Sequence, residues 1–94
     1  MMKLSEKEIQ QELKNLTEWT FNENAIHTKI EFENFKEAFS FMTRVAFEAE
    51  IQAHHPEWTN VYNQVEISLS THDAGGVTQK DFKLAKTIDQ LLES

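Results

Sequence analysis

The segment EIQAHHPEWTNVYNQVEISLSTH, residues 50–72, decides the fold of this 94-residue chain, because it joins a helix end to a long alternating run. Pro56 fixes the backbone and prevents the preceding helix from continuing. Beyond it, apolar and polar residues alternate with the two-residue period of a half-buried β-strand. One face of this run carries Val61, Asn63, Val65, Ile67, Leu69 and Thr71. The pattern predicts either one long strand or two strands joined by a tight turn at Asn63-Gln64.

The residues before this segment predict a helix followed by a β-hairpin. Ser5 and Glu8 have the spacing of a capping box, which is typical of a helix N-terminus. Strands are predicted at residues 19–21 and 25–32, because apolar residues alternate there with polar ones. Residues 22–24 form the turn between them.

A second helix is predicted from Asn34 to about Ala53. Its expected buried face consists of Phe35, Ala38, Phe39, Met42, Val45, Ala46 and Ala49. Phe47 and Ile51 lie nearly opposite this face, because successive helical residues are rotated by about 100°. They therefore indicate a second buried surface.

A third helix follows Gly75-Gly76 and opens at Thr78 and Asp81. Its expected inward residues are Phe82, Ala85, Ile88 and Leu92. The predicted fold class is α+β, with one four-stranded antiparallel sheet and three helices packed on one face, in the order α-β-β-α-β-β-α. We expect a single domain over residues 1–94, because a chain of this length has no room for a second.

The composition excludes several classes of function. The chain has no cysteine, which excludes disulfides, thiolate metal sites and cysteine nucleophiles and leads us to expect a cytoplasmic location. Its formal net charge of −7 argues against unspecific binding to nucleic acid or to an anionic membrane. We also find no signal peptide and no apolar run of membrane-spanning length, so we expect neither a nucleic-acid nor a membrane partner.

Three of the four histidines lie at predicted element ends. His54 and His55 are adjacent at the end of the second helix, and His72 closes the alternating run. The unperturbed pKa of imidazole lies near neutrality, so these residues offer acid-base chemistry at physiological pH. Simpler explanations exist, since a helix C-terminus favours histidine and Asp81 could merely cap the third helix. His27 has no predicted partner, and we interpret it as structural or solvent-facing.

The other polar and aromatic candidates also have simple explanations. Glu50 could be a solvated helix residue, and Trp58 could serve packing alone. Histidines with nearby carboxylates match the ligands of a zinc or non-haem iron site, but their spacing matches no strong metal signature. No metal site is therefore predicted.

The same residues resemble the pterin-4a-carbinolamine dehydratases. The resemblance rests on E-x-x-x-H-H-P-x-W from Glu50, then N-V-Y-N, S-T-H and finally G-G-V-T-x-x-D ending at Asp81. The match is free of gaps, and the flanking elements follow the family's order, so it covers essentially the whole chain. Glu18 departs from the pattern, because relatives often place glycine before the tryptophan that is Trp19 here.

The resemblance implies a hydro-lyase that needs no cofactor. It would convert 4a-hydroxytetrahydropterin to quinonoid dihydropterin during tetrahydrobiopterin recycling. His54 and His72 would share the acid-base work at the C4a hydroxyl, and His55 would orient the pterin. The implied catalytic residues are His54, His55, His72 and Asp81, and the implied substrate-binding residues are Glu50, Pro56, Trp58, Ser70 and Thr71.

The resemblance also implies self-association, as a homodimer or homotetramer. The alternative function is a non-catalytic dimerisation or binding module that acts as a protein cofactor. The presence of all three histidines favours the enzyme.

Overall fold

The computed structural model describes residues 2–93 and contains the predicted elements in the predicted order. They are α1 (Glu6–Leu13), β1 (Thr20–Asn22), β2 (Ala25–Glu31), α2 (Phe35–Gln52), β3 (Glu57–Val61), β4 (Gln64–Leu69) and α3 (Gln79–Glu93), with a short 3-10 helix at His72–Ala74. The strands form one antiparallel sheet in the order β1-β2-β4-β3. The fold is therefore the predicted α+β class.

The alternating run is two strands rather than one. Val61 pairs with Gln64, so the turn consists of Tyr62 and Asn63 and lies one residue earlier than the predicted position. Tyr62 adopts the left-handed conformation at φ 50°, which permits so tight a reversal. α2 ends at Gln52, and β3 begins at Glu57, directly after Pro56, so the proline lies in the short connection between the helix and the sheet.

The hydrophobic core lies between the helices and one face of the sheet. It contains Ile26, Val65, Ile67 and Leu69 from the strands, together with buried residues of all three helices. The alternate strand residues, such as Lys29 and Glu66, face away from the core and are exposed. The opposite face of the sheet is therefore not covered by any helix of the described chain.

The buried face of α2 differs from the predicted one. Ala38, Phe41, Val45 and Ala49 are buried, and the Phe41 ring packs on Phe32 with their centroids 5.1 Å apart. The predicted inward residues Phe35, Phe39 and Ala46 are exposed. The true stripe is centred roughly 60° around the helix from the predicted one. Apolar residues extend around much of α2, so periodicity alone could not identify the side that meets the sheet.

The last predicted inward residue of α3 is also partly exposed. Phe82, Ala85 and Ile88 are buried as predicted, but Leu92 is 39% exposed. The buried face of the helix ends at Asp89, and Leu92 lies in the turn beyond it.

A buried carboxylate ties the turn after α1 to α3. Asp89 accepts hydrogen bonds from the indole N–H of Trp19 at 2.8 Å and from the backbone N–H of Thr17 at 2.9 Å. Glu18, between these two donors, has a φ of 52° in the left-handed region that favours glycine. The chain thus makes this turn with a side chain in a backbone conformation that favours glycine.

Candidate active site

Most of the predicted site residues meet where the end of α2, the segment after β4 and the start of α3 come together. A cavity of ≈ 390 Å³ lies at this junction. Its walls are formed by Ala53, His54, His55, Ser70, Thr71, His72, Asp73 and Lys80. The structure therefore brings together all three predicted histidines, with Ser70 and Thr71.

The two adjacent histidines after the C-terminus of α2, His54 and His55, point in different directions. Ala53 has a left-handed backbone, with φ 53° and ψ 40°, and ends the helix. The backbone N–H of His54 then bonds to the carbonyl of Ala49 at 3.0 Å, which is the six-to-one bond of a Schellman motif. Because of this reversal, His54 contacts α3, whereas His55 reaches back to Glu50 on α2.

His54 is held by a fully buried carboxylate. Its Nε2 lies 2.5 Å from Oδ1 of Asp81, and the two side chains are 11% and 0% exposed. An ionised carboxylate can only accept hydrogen bonds, so Nε2 of His54 carries the proton. In the neutral ring, Nδ1 is consequently the nitrogen with a free lone pair.

The second oxygen of Asp81 receives two further hydrogen bonds. The backbone N–H of Thr78 and the hydroxyl of Thr71 both donate to Oδ2 at 2.9 Å. Asp81 therefore fills both roles that its position suggests, because it caps α3 at Thr78 and also binds His54.

The hydroxyl groups around Asp81 have only one consistent set of proton positions. The hydroxyl of Thr71 donates its single proton to Asp81. In the 2.7 Å hydrogen bond between the hydroxyls of Thr71 and Thr78, Thr78 is therefore the donor. The hydroxyl oxygen of Thr78 in turn accepts from the backbone N–H of Lys80 at 3.2 Å. This ordered chain of donors fixes the orientation of the carboxylate that holds His54.

His55 and His72 are less constrained. His55 Nε2 lies 2.5 Å from Oε1 of Glu50, but these side chains are 63% and 76% exposed. Exposed pairs of this kind are screened by water and contribute little stability. His72 is the first residue of the 3-10 helix and is exposed on the cavity wall.

The remaining predicted binding residues lie outside the cavity wall. Pro56 precedes β3, and Trp58 pairs with Ile67 on β4 and packs against the core. The side chain of Glu50 contacts the site through His55.

Three wall residues were missed by the sequence reasoning, namely Ala53, Asp73 and Lys80. Each is a direct neighbour of a predicted residue, and that adjacency to an element end is the signal that could have identified them. Lys80 adds a positive side chain to a wall that otherwise contains histidines, hydroxyls and Asp73.

His27 has partners that the sequence did not predict. Its Nε2 lies 2.9 Å from the carbonyl of Asn22, and its Nδ1 lies 2.7 Å from the hydroxyl of Ser68. Because a carbonyl only accepts, Nε2 donates, and Nδ1 of the neutral ring accepts from Ser68. His27 is thus fixed on the outer face of the sheet and does not belong to the cavity.

Neither a metal cluster nor a membrane span is found in the part of the chain that the structure describes. Within residues 2–93, no three His, Asp or Glu side chains lie close enough together to hold a metal ion. None of the helices in that range is long and apolar enough to cross a membrane.

Comparison with known proteins gives a consistent result. Residues 2–91 match the family model described as pterin 4 alpha carbinolamine dehydratase. A protein of Christiangramia forsetii, provisionally named a pterin-4-alpha-carbinolamine dehydratase, is 64% identical over 94 residues, which cover 100% of this chain and 97% of that protein. A Chelativorans protein of the same provisional name is 55% identical over 89 residues, covering 93% and 91% of the two chains.

A solved structure shares the fold as well. The crystal structure of a transcriptional coactivator/pterin dehydratase from Brucella melitensis aligns with a TM-score of 0.92 and 38% identity. The alignment covers 95% of this chain and 97% of the Brucella chain.

Proposed function

Because this chain belongs to the pterin-4a-carbinolamine dehydratase family, we propose that it dehydrates 4a-hydroxytetrahydropterin at the cavity around His54. The observation that carries the proposal is the hydrogen bond between His54, which lies on the cavity wall with His55 and His72, and the fully buried carboxylate of Asp81. The reaction would serve the recycling of tetrahydrobiopterin.

The reaction needs one acid and one base. The C4a–O bond breaks, and the departing hydroxide takes a proton to leave as water. The proton on N5 is removed, and its electron pair forms the C4a=N5 double bond of quinonoid dihydropterin. Positioned histidines can supply both proton transfers.

His54 suits the role of the base. Its Nδ1 lone pair is free, because Asp81 holds the ring proton on Nε2. When Nδ1 takes up a proton, the buried carboxylate of Asp81 stabilises the resulting imidazolium charge. His72, exposed on the same wall, would then donate the proton to the leaving hydroxide.

The other wall residues would bind the substrate. His55, held by Glu50, would orient the pterin ring, and Ser70 and Thr71 would supply polar contacts. Pro56 and Trp58 would act indirectly, by fixing the start of β3 beside the two histidines.

The test is the rate of 4a-hydroxytetrahydropterin dehydration above its spontaneous rate. We expect His54→Ala or His72→Ala to lower turnover by about 10²–10⁴-fold, the usual range for an acid-base group, and the double variant to abolish catalysis. His55→Ala should mainly raise KM. Lys83→Ala, at an exposed position on α3 outside the cavity, is the matched control and should keep full activity.

Two outcomes would contradict the proposal. Absence of any acceleration by the folded wild type would favour the alternative, a non-catalytic binding module. Loss of activity on adding a chelator would require a metal, for which residues 2–93 offer no recognisable site.

We also propose that the chain forms a homodimer or homotetramer through α2. Phe35 and Phe39 are 50% and 55% exposed, and the centroids of their rings lie 5.8 Å apart. Phe47 and Ile51, on the same helix, are 68% and 76% exposed. Apolar groups concentrated on one helix are typical of an interface.

Sedimentation should show a Phe47→Glu variant of lower mass than the wild type and than the control Lys7→Glu. A monomeric wild type would refute the interface.

A further inference from the structure

The loop that carries His72 is built on the backbone of Thr71. The backbone N–H of Thr71 donates to the carbonyl of Gly76 at 2.9 Å. The carbonyl of Thr71 accepts from the N–H groups of Ala74 and Gly75 at 3.0 and 3.1 Å. Gly75 permits this tight closure because its φ of 75° lies in the left-handed region. Any shift of Thr71 therefore moves the loop and His72 with it.

The side chain of Thr71 fastens this loop to the first turn of α3. Its hydroxyl donates to Oδ2 of Asp81 at 2.9 Å and accepts from the hydroxyl of Thr78 at 2.7 Å. Asp81 and Thr78 are both fully buried, so bulk water has little access to their ends of these bonds. The loop is thus held to α3 by two protected hydrogen bonds.

Asp81 thereby connects two of the proposed catalytic histidines. Its Oδ1 binds His54, and its Oδ2 binds Thr71, the residue that carries the loop of His72. Both histidines lie on the wall of the same cavity. An acid and a base that serve one substrate have to be held at a fixed separation, because small displacements lower the rate steeply. The Thr71 hydroxyl is placed to control that separation.

Thr78 also has a simpler role as the cap of α3. Its hydroxyl oxygen accepts from the backbone N–H of Lys80 at 3.2 Å, and its own backbone N–H donates to Asp81 at 2.9 Å. These bonds satisfy free N–H groups at the helix start. Capping uses only the oxygen of the Thr78 hydroxyl, whereas the proton of that hydroxyl is donated to Thr71. The second bond points to a role beyond capping.

We propose that the hydroxyls of Thr71 and Thr78 form a clamp that fixes His72 relative to His54, and that both threonines are positioning residues for the dehydration. The inference rests on the proposed function. Thr78 is fully buried and is not part of the cavity wall, so its hydroxyl acts on the site through Thr71. For Thr71, this role is additional to its proposed contact with the pterin.

The test is the kinetics of 4a-hydroxytetrahydropterin dehydration by valine variants, which keep the shape of threonine and lose its hydroxyl. Thr78→Val should lower kcat by about 2–10-fold, the equivalent of one hydrogen bond, and leave KM unchanged. Thr71→Val should lower kcat by up to about 10²-fold, because it removes both bonds of the clamp. Thr78→Ser retains the hydroxyl and should keep the wild-type kcat.

A second substitution separates positioning from a structural effect. If the clamp acts by placing His72, Thr78→Val should cause no further loss of kcat in a His72→Ala background. The double variant Thr71→Val/Thr78→Val should likewise be no slower than Thr71→Val alone, because Thr78 acts through Thr71. A loss of stability alone would produce neither pattern.

Thr87→Val is the matched control. Thr87 lies on α3 outside the cavity, and its hydroxyl also makes two bonds, to the carbonyl of Lys83 at 3.1 Å and from the amide of Gln52 at 2.9 Å. Its substitution should lower the free energy of unfolding, measured with urea, and leave kcat unchanged. If Thr78→Val does not fold, Thr71→Val tests the same clamp from its other side.

The inference is overturned if Thr78→Val keeps the wild-type kcat, or if it lowers kcat equally with and without His72. It is also overturned if Thr71→Val raises KM and keeps the wild-type kcat, since Thr71 would then only bind substrate. These results would leave the proposed function standing, provided that the wild type accelerates dehydration. Absence of acceleration by the wild type would instead refute the proposed function.

Discussion

Replacement of Asp81 by asparagine should separate the catalytic role of this residue from its structural one. The side chain is fully buried and receives hydrogen bonds from His54, from Thr71 and from the backbone of Thr78. Asparagine has the same shape but keeps only one acceptor oxygen. If that oxygen serves Thr71 and Thr78, the amide NH₂ faces His54 and can only donate.

The consequence is a change of tautomer in His54. Nε2 must then accept, so the ring proton moves to Nδ1 and the proposed base loses the lone pair that would take up the substrate proton. We expect kcat to fall by about 10²–10⁴-fold, the full value of a general acid-base group.

The expected loss of stability is smaller. The asparagine side chain retains the hydrogen bonds from Thr71 and Thr78 and replaces the charge-assisted bond to His54 with a neutral one of opposite direction, so the free energy of unfolding should fall by about 1–2 kcal/mol. Asp81→Ala would leave three donors without an acceptor and should cost about 3–5 kcal/mol. The assays are dehydration kinetics, urea unfolding, and ¹⁵N NMR of the His54 ring, which reports the protonated nitrogen directly.

Asp89→Asn is the matched control. Asp89 is a second buried carboxylate on α3, and it accepts two hydrogen bonds far from the cavity. Its substitution should destabilise the fold comparably and leave kcat unchanged. The reasoning is refuted if Asp81→Asn retains activity within a few-fold of the wild type, or if the tautomer of His54 does not change.

Three further predictions test the fold. Glu18→Gly should raise the free energy of unfolding by about 1 kcal/mol in thermal denaturation, because it relieves a left-handed backbone; a destabilised variant would contradict this. Phe41→Ala should cost about 3–5 kcal/mol at any protein concentration, whereas any cost of Phe39→Ala should depend on concentration; the reverse pattern would restore the predicted face of α2. Hydrogen bonds from Ser5 lower the pKa of the Glu8 carboxyl below its ordinary value of 4.5. The bond from the Ser5 backbone N–H to this carboxylate, which caps α1, should therefore be intact above pH 4.5 and be lost as the pH falls through the lowered pKa of the folded state. NMR titration of the Ser5 amide should show this transition, and Glu8→Gln should abolish it.

Local signals in the sequence are sufficient to predict the element order. The capping box at Ser5, the break at Pro56 and the two-residue alternation of β4 are properties of short segments, and the structure confirms each of them. The same kind of signal predicts that His54 and His55 end a helix. The motif that ends at Asp81 is also a property of one continuous segment, and it is sufficient to indicate the family.

Contacts between distant segments were decided only by the tertiary structure. Asp81 lies 27 residues from His54, and Ser68 lies 41 residues from His27. No local sequence signal specifies either contact. The contact between His54 and Asp81 depends on how α3 docks against the end of α2, and the contact between His27 and Ser68 depends on the register between β2 and β4. For the same reason the sequence could not indicate that Phe41, rather than Phe39, faces the sheet. Both sides of α2 are apolar, and only packing against the other elements selects the side that is buried.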